Sequence, residues 1–171
     1  MRVISVAAAK VILTASFCAG VLGASAAPLS QHFSDEATCY SRTYSAEHLR
    51  KNPGQRVSHI RFDHVPGSMG DVGPGELAFS ISVRFKNSPE TLTNSGLCFP
   101  QSKTYRCQLE CDGGGFELKD RDQSSLYLLN PSGFVVSGCD GDAYVELVPE
   151  PDDKIFRLDR MPSSECRAAQ Q

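Results

Sequence analysis

The chain has 171 residues, with 17 Lys and Arg, 20 Asp and Glu, and a formal net charge of −3. Nucleic acids and anionic membranes attract basic surfaces, so this acidic balance argues against both as partners. Whether the seven cysteines form disulfides depends on the compartment of the protein, which the first residues of the chain indicate.

Residues 1–26 have the pattern of a cleaved export signal. Arg2 and Lys10 precede an apolar run from Val11 to Leu22, and Ala24-Ser25-Ala26 supplies the small residues that a signal peptidase cuts. The run falls short of the roughly 20 residues that span a bilayer, so membrane insertion is not expected. The pattern predicts a mature protein in the bacterial periplasm or outside the cell.

Three parts are predicted for the mature chain. Residues 27–37 are polar and aperiodic, which predicts a flexible N-terminal segment. Residues 38–166 are expected to form a single domain, followed by a disordered tail over residues 167–171. Within the domain, Ser45 is a helix N-cap, and Asn52-Pro53-Gly54 ends the short helix that it begins. No other helix is predicted.

After Gly54 the sequence has strand character. In the clearest strand Leu77, Phe79, Ile81, Val83 and Phe85 alternate with polar or small residues. Further short strands are joined by turn sequences such as Asp112-Gly113 and Asn130-Pro131-Ser132-Gly133. Short strands without intervening helices predict an all-β fold, namely a small antiparallel meander barrel of eight or nine strands. A two-sheet β-sandwich is the alternative.

The cysteine count predicts three disulfides. Cys18 lies in the export signal, and the six remaining cysteines are an even number in an oxidising compartment. Cys107 and Cys111 share one strand and stand about 13 to 14 Å apart, which is too far for a bridge between them. Several connectivities remain open, and the preferred pairs are Cys98–Cys107, Cys111–Cys139 and Cys39–Cys166.

The sequence shows no catalytic constellation. His59 and His64 are five residues apart and therefore lie on opposite faces of one strand, while His32 and His48 have no evident partner. With all six mature cysteines oxidised, no thiol nucleophile is left. The acidic residues do not match a calcium loop and the cysteines do not match a zinc site, so neither a metal nor a cofactor is predicted.

Export, three disulfides and the lack of a catalytic group predict a non-enzymatic binding or inhibitory module. It would be monomeric and would contact a protein or a small apolar ligand of the envelope. Tyr40, Arg42 and Tyr44 are candidate contact residues beside the helix, unless that helix packs over a barrel end. Met69 and Asp71 are candidates in the glycine-rich loop from Pro66 to Gly75.

Two other functions stay open. The first is a structural component of the envelope. The second is a hydrolase that uses carboxylates near the Cys-Asp-Gly turns. The candidate carboxylates for that chemistry are Glu110, Asp112, Glu117 and Asp140. In size, export signal and strand count the chain is similar to exported bacterial β-domains, including barrel-shaped lysozyme inhibitors and lipocalin-like binders.

Overall fold

The computed structural model describes residues 29–33, 38–137, 139 and 144–168. The predicted export signal and its cleavage point lie outside these residues. Residues 27–28 and 34–37 of the predicted flexible segment and residues 169–171 of the predicted tail also lie outside them.

Eight strands of the described chain close into an antiparallel barrel, which confirms the predicted fold class over the sandwich. Around the barrel they are ordered β1-β10-β7-β6-β5-β4-β3-β2, and β8 and β9 form a separate two-stranded sheet. The strands are β1 (Cys39–Thr43), β2 (Val57–His64), β3 (Leu77–Phe85), β4 (Thr91–Pro100), β5 (Thr104–Leu109), β6 (Gly115–Asp122), β7 (Ser125–Leu129), β8 (Phe134–Val135), β9 (Glu146–Leu147) and β10 (Ile155–Arg160). The helices are α1 (Ala46–Lys51) and α2 (Ser163–Ala168), with 3₁₀ turns at Leu29–His32 and Pro151–Asp153.

Strand β3 shows how the sequence pattern builds the barrel wall. Its apolar residues Leu77, Phe79, Ile81 and Val83 are buried, whereas Ser80, Ser82 and Arg84 are half-buried on the outer face. Alternate side chains of a strand point to opposite faces, so a period of two places one apolar set inside.

Aromatic rings fill the barrel interior. Phe62 stacks on Phe79 with ring centroids 5.2 Å apart, and Phe79 meets Phe116 edge-on at 5.3 Å. Phe116 in turn contacts Phe134 at 5.1 Å. All four side chains are among the most deeply buried of the described residues, so the interior is a packed core.

Residues 29–33 close one end of the barrel, where the sequence predicts a flexible segment. Leu29, His32 and Phe33 are buried. The ring of Phe33 lies 5.7 to 5.9 Å from four rings of the barrel end, those of Tyr40, Phe62, His64 and Tyr105. Burial of these rings against Phe33 orders a segment whose own sequence is mostly polar.

The sheet of β8 and β9 covers the other end. Phe134 and Leu147 are buried there against the core. Asn94, whose side chain points inward from β4, donates hydrogen bonds of 3.1 Å to the carbonyl oxygens of Val135 and Ser137. The polar group thus satisfies the backbone of the segment that covers the barrel.

Helix α1 is the helix that the sequence predicts. The Ser45 hydroxyl accepts a hydrogen bond of 3.2 Å from the amide of His48, and Lys51 pairs with Glu47 at 2.7 Å. Helix α2 is not predicted, and the segment from 167 was expected to be disordered. Its six residues begin after Pro162 and are tied to β1 by a disulfide, so a tertiary link supports a helix too short to form alone.

The structure contains the same three disulfides that the sequence analysis prefers. Their Cα atoms are 5.4 Å apart in Cys39–Cys166, 3.9 Å in Cys98–Cys107 and 5.7 Å in Cys111–Cys139. The four cysteines of the first two bridges are buried, whereas Cys111 and Cys139 are exposed.

The turn after β5 differs by one residue from the predicted Asp112-Gly113 turn. Cys111 and Asp112 have positive φ angles of 56° and 55°, and the amide of Gly113 donates to the carbonyl of Glu110 at 3.1 Å. The central pair of the turn is therefore Cys111-Asp112. Aspartate tolerates this left-handed conformation well, and the disulfide to Cys139 anchors the cysteine beside it.

Candidate functional site

Tyr40 is part of the core, so its predicted role as a surface contact is wrong. It is fully buried, and burial raises the pKa of its phenol to about 12. Its hydroxyl lies 3.0 Å from Nδ1 of His32. The inward alternation of β1 explains this position, because Tyr40 pairs with the buried Phe62 across the strands.

Arg42 and Tyr44 hold helix α1 against the barrel. Arg42 donates to Asp159 at 2.8 Å, and its guanidinium lies 5.8 Å from the centre of the Tyr44 ring. The Tyr44 ring packs against the His48 ring at 4.8 Å, and burial raises the pKa of Tyr44 to about 12. These contacts join α1 to the barrel through Tyr44, although no residue of the helix itself is buried.

Met69 and Asp71 lie far from that helix along the barrel. They belong to the hairpin loop between β2 and β3, at the end that residues 29–33 close. Helix α1 joins β1 to β2 at the opposite end. The five predicted contact residues therefore do not form one surface.

His32 has partners that the sequence does not reveal. Its Nε2 lies 2.7 Å from a carboxylate oxygen of Asp120, in addition to the contact with Tyr40. No spacing links residue 32 to residue 120, and only the closed barrel brings them together. The same fold places His59 on the outer wall and buries His64 beside Phe33, on opposite faces as predicted.

One groove lies on the outer wall over β5 and β6, and we call it the β5–β6 groove. It has a volume of about 930 Å³ and is open to solvent. Outward side chains of Thr104, Arg106 and Gln108 form one wall, and Glu117 and the loop 131–133 form the other. The lining is mainly polar.

Two glycines form part of the lining of this groove. Gly114 and Gly115 lie in its floor, and a Cβ atom on Gly115 would collide with the carbonyl oxygen of Cys107. Strand β5 therefore approaches β6 more closely than a residue with a side chain allows.

Two of the four candidate carboxylates line the β5–β6 groove. They are Asp112, on the turn after β5, and Glu117, on β6. Glu110 is exposed but is not part of the groove lining. Asp140 lies outside the described residues. Of the candidate carboxylates, Asp112 and Glu117 thus share one groove.

A second groove of about 460 Å³ lies on the outer wall over β1 to β4, and we call it the β2–β3 groove. His59, Arg61 and Asp63 reach it from β2, and Arg84 reaches it from β3. Val65 and five hydroxyl side chains complete the lining; the hydroxyl residues are Thr43, Ser80, Ser82, Thr91 and Thr93. The two grooves share no residue.

Asp153 is a buried carboxylate outside both grooves. One of its oxygens accepts a hydrogen bond of 2.8 Å from the backbone amide of Arg56, and this bond ties the start of β2 to the second 3₁₀ turn. Burial raises the pKa of Asp153 above its ordinary value, and the Arg56 amide partly opposes this shift. Its role is structural.

Among the residues that the structure describes, no three His, Cys, Asp or Glu side chains gather as a metal ion would require. No described helix has the length and apolar character of a membrane span.

Fold and disulfides together define the class of the protein, a small antiparallel β-barrel with three disulfides, a filled interior and polar grooves on its outer wall. This architecture is compatible with an extracellular module. No family model, no curated protein and no solved structure matches the chain.

Proposed function

We propose that this protein is an exported, non-enzymatic binding or inhibitory module that holds a polar ligand or a polar segment of a partner protein in the β5–β6 groove. The export signal and the disulfides support a location outside the cytosol, as argued from the sequence.

The filled interior is the observation that carries this proposal. Ligand carriers with a barrel fold keep a hollow interior, whereas here aromatic rings occupy it and residues 29–33 close one end. A small apolar ligand inside the barrel would have to displace this core. Contact is therefore expected on the outer wall, where the β5–β6 groove offers a larger concave surface than the β2–β3 groove.

The groove also has the chemistry of a recognition site. Arg106, Gln108 and Glu117 present long polar side chains that can donate and accept hydrogen bonds, and the glycine floor lets a ligand approach the backbone. The wall is rigid because β5 pairs with β4 and β6 on its two sides and Cys107 bonds to Cys98. A rigid site loses little conformational entropy when it binds.

Filling the groove tests the proposal. Ser132 is exposed on the loop 131–133, so Ser132→Trp adds a large side chain to the groove without removing a core contact. The wild-type protein is used to isolate partners from envelope extract and to screen an oligosaccharide set. The affinity for whatever it binds is then measured for Ser132→Trp and for Arg50→Trp, a control on an exposed residue of α1 that does not line the groove.

We expect Ser132→Trp to weaken binding at least tenfold and Arg50→Trp to leave it unchanged. A ligand that binds Ser132→Trp as tightly as the wild type would place the contact elsewhere and refute the assignment. Failure of the wild type to retain any ligand or partner would refute the binding function itself.

A carboxylate hydrolase is the second candidate, because Asp112 and Glu117 line the same groove. Paired carboxylates on one cleft are the arrangement that glycoside hydrolysis uses. Wild-type protein is incubated with polysaccharides, and any activity is compared in Asp112→Asn, Glu117→Gln and the control Glu90→Gln, on the exposed turn before β4. Activity that either groove substitution abolishes, and that Glu90→Gln retains, would favour this candidate over the non-enzymatic one.

A further inference from the structure

The β2–β3 groove contains a row of side chains that crosses four strands. Cross-strand neighbours in the antiparallel register are Thr43 with His59, His59 with Arg84, and Arg84 with Thr91. Directly opposed residues have Cβ atoms about 5 Å apart, so the four side chains stand side by side on the outer wall. A hydroxyl thus lies at each end of the row, with an imidazole and a guanidinium between them.

Arg84 supplies the uncompensated positive charge of the β2–β3 groove. Arg61 and Asp63 neutralise each other, because Arg61 donates to both oxygens of the Asp63 carboxylate at 2.7 to 2.9 Å. Arg84 has no ion-pair partner within the described residues, and its side chain is half-buried. A guanidinium held in a groove without a counter-charge is a site for an anion.

Burial and the neighbouring arginines both lower the pKa of His59. Burial lowers the pKa of its imidazole most, and the charges of Arg84 and Arg61 lower it further, while Asp63 acts in the opposite direction. Thr43 holds the ring through a contact of 2.8 Å with Nδ1. Glu165 on α2 also lies near Arg61, because its backbone carbonyl accepts a hydrogen bond of 3.1 Å from the guanidinium.

The β2–β3 groove is therefore locally electropositive, although the protein as a whole is acidic. Charges more than about 8 Å apart are largely screened at physiological ionic strength, so the local groups decide the potential that a ligand meets. In addition to these cations the groove presents five hydroxyl side chains, of Thr43, Ser80, Ser82, Thr91 and Thr93. Hydroxyl groups both donate and accept, which suits a ligand that carries many hydroxyl groups itself.

We propose that the β2–β3 groove binds an acidic saccharide, with the ligand carboxylate between the Arg84 guanidinium and the Thr91 hydroxyl and the sugar hydroxyls along β3 and β4. The site is independent of the β5–β6 groove. Failure of either proposal leaves the other standing, because substitutions in one groove touch no residue of the other.

Binding is tested with a defined oligogalacturonate on the full mature chain. Isothermal titration calorimetry gives the affinity, and NMR of the His59 ring gives its pKa with and without the ligand. A neutral oligosaccharide of the same length, inorganic phosphate, and vesicles that contain an anionic phospholipid are the comparison ligands. The variants are Arg84→Gln and Thr91→Val, with Arg50→Gln on α1 as a control of equal charge change; circular dichroism verifies that each is folded.

We expect oligogalacturonate to bind and to raise the pKa of His59, because an added negative charge favours the imidazolium. Arg84→Gln is expected to weaken binding about tenfold or more, Thr91→Val less, and Arg50→Gln not at all. Weak phosphate binding that Arg84→Gln abolishes would support the same site. The proposal is overturned if oligogalacturonate does not bind, if Arg84→Gln binds it as the wild type does, or if the neutral oligosaccharide or the vesicles bind equally well.

Discussion

The disulfides differ greatly in the length of chain that each one closes, and this difference predicts how much each contributes to stability. Cys39 and Cys166 are 127 residues apart in sequence, whereas Cys98 and Cys107 are 9 residues apart. If a bridge stabilises the protein by restricting the unfolded chain, closing loops of these lengths adds about 5 and about 2.7 kcal/mol, respectively, to the free energy of unfolding. The free energy of unfolding should thus fall about 2 kcal/mol further without Cys39–Cys166 than without Cys98–Cys107.

The comparison uses two double variants, Cys39→Ala with Cys166→Ala and Cys98→Ala with Cys107→Ala. All four sulfur atoms are buried, so each variant loses two buried sulfurs, and this cost largely cancels in the difference. Urea unfolding of the wild type and both variants, in the same concentration of a stabilising osmolyte, gives the free energies. Equal losses, or a larger loss for the Cys98–Cys107 variant, would refute the loop-entropy argument and would indicate that native packing around the bridges dominates.

Two further predictions concern backbone packing and a buried charge. Gly115→Ala should lower the free energy of unfolding by about 3 kcal/mol, because the Cys107 carbonyl cannot move away from the new Cβ. Gly67→Asn, at a positive φ in open space, should lower it by less than about 1 kcal/mol. Similar losses in the two variants would contradict this packing argument. The raised pKa of Asp153 means that the folded protein holds a proton more tightly than the unfolded chain. The free energy of unfolding of the wild type should therefore fall as pH rises from below the ordinary carboxyl pKa through the raised one. Asp153→Asn lacks this titration, so its free energy of unfolding relative to the wild type, measured in urea, should increase between pH 3 and pH 7. A difference that stays constant with pH, or that Asp152→Asn reproduces, would show that Asp153 is not the group responsible.

The barrel was predictable because its determinants are local. The alternation of Leu77 to Phe85 requires a strand with one buried face, and Cys98 and Cys107 flank a hairpin that brings them opposite each other. The pairing of neighbouring strands then follows from short connections.

Residues 29–33 and helix α2 were not predictable from their own sequences. Phe33 is ordered by four rings that come from β1, β2 and β5, and α2 is ordered by a disulfide to β1. Five or six residues carry too little periodicity to show a preference, and their burial depends on surfaces that exist only after the barrel has closed.

The two grooves also depend on register, which the sequence pattern does not define to the residue. Val57 pairs with Phe85, but His59 pairs with Arg84, because an irregularity in β2 shifts the register between them. Without that shift His59 and Arg84 would not stand opposite each other. A one-residue change in strand pairing rearranges every neighbour on a wall.

The bridge between Cys39 and Cys166 has a consequence for the survival of the protein after damage. It joins the first strand of the barrel to the helix that follows the last one, so the described chain between these residues is a covalent ring. A protease that cuts one exposed loop, such as the loop between Pro66 and Gly75, opens the ring but separates no fragment from it. A nicked molecule would remain one covalent unit, with its strands still paired and its outer grooves still in place.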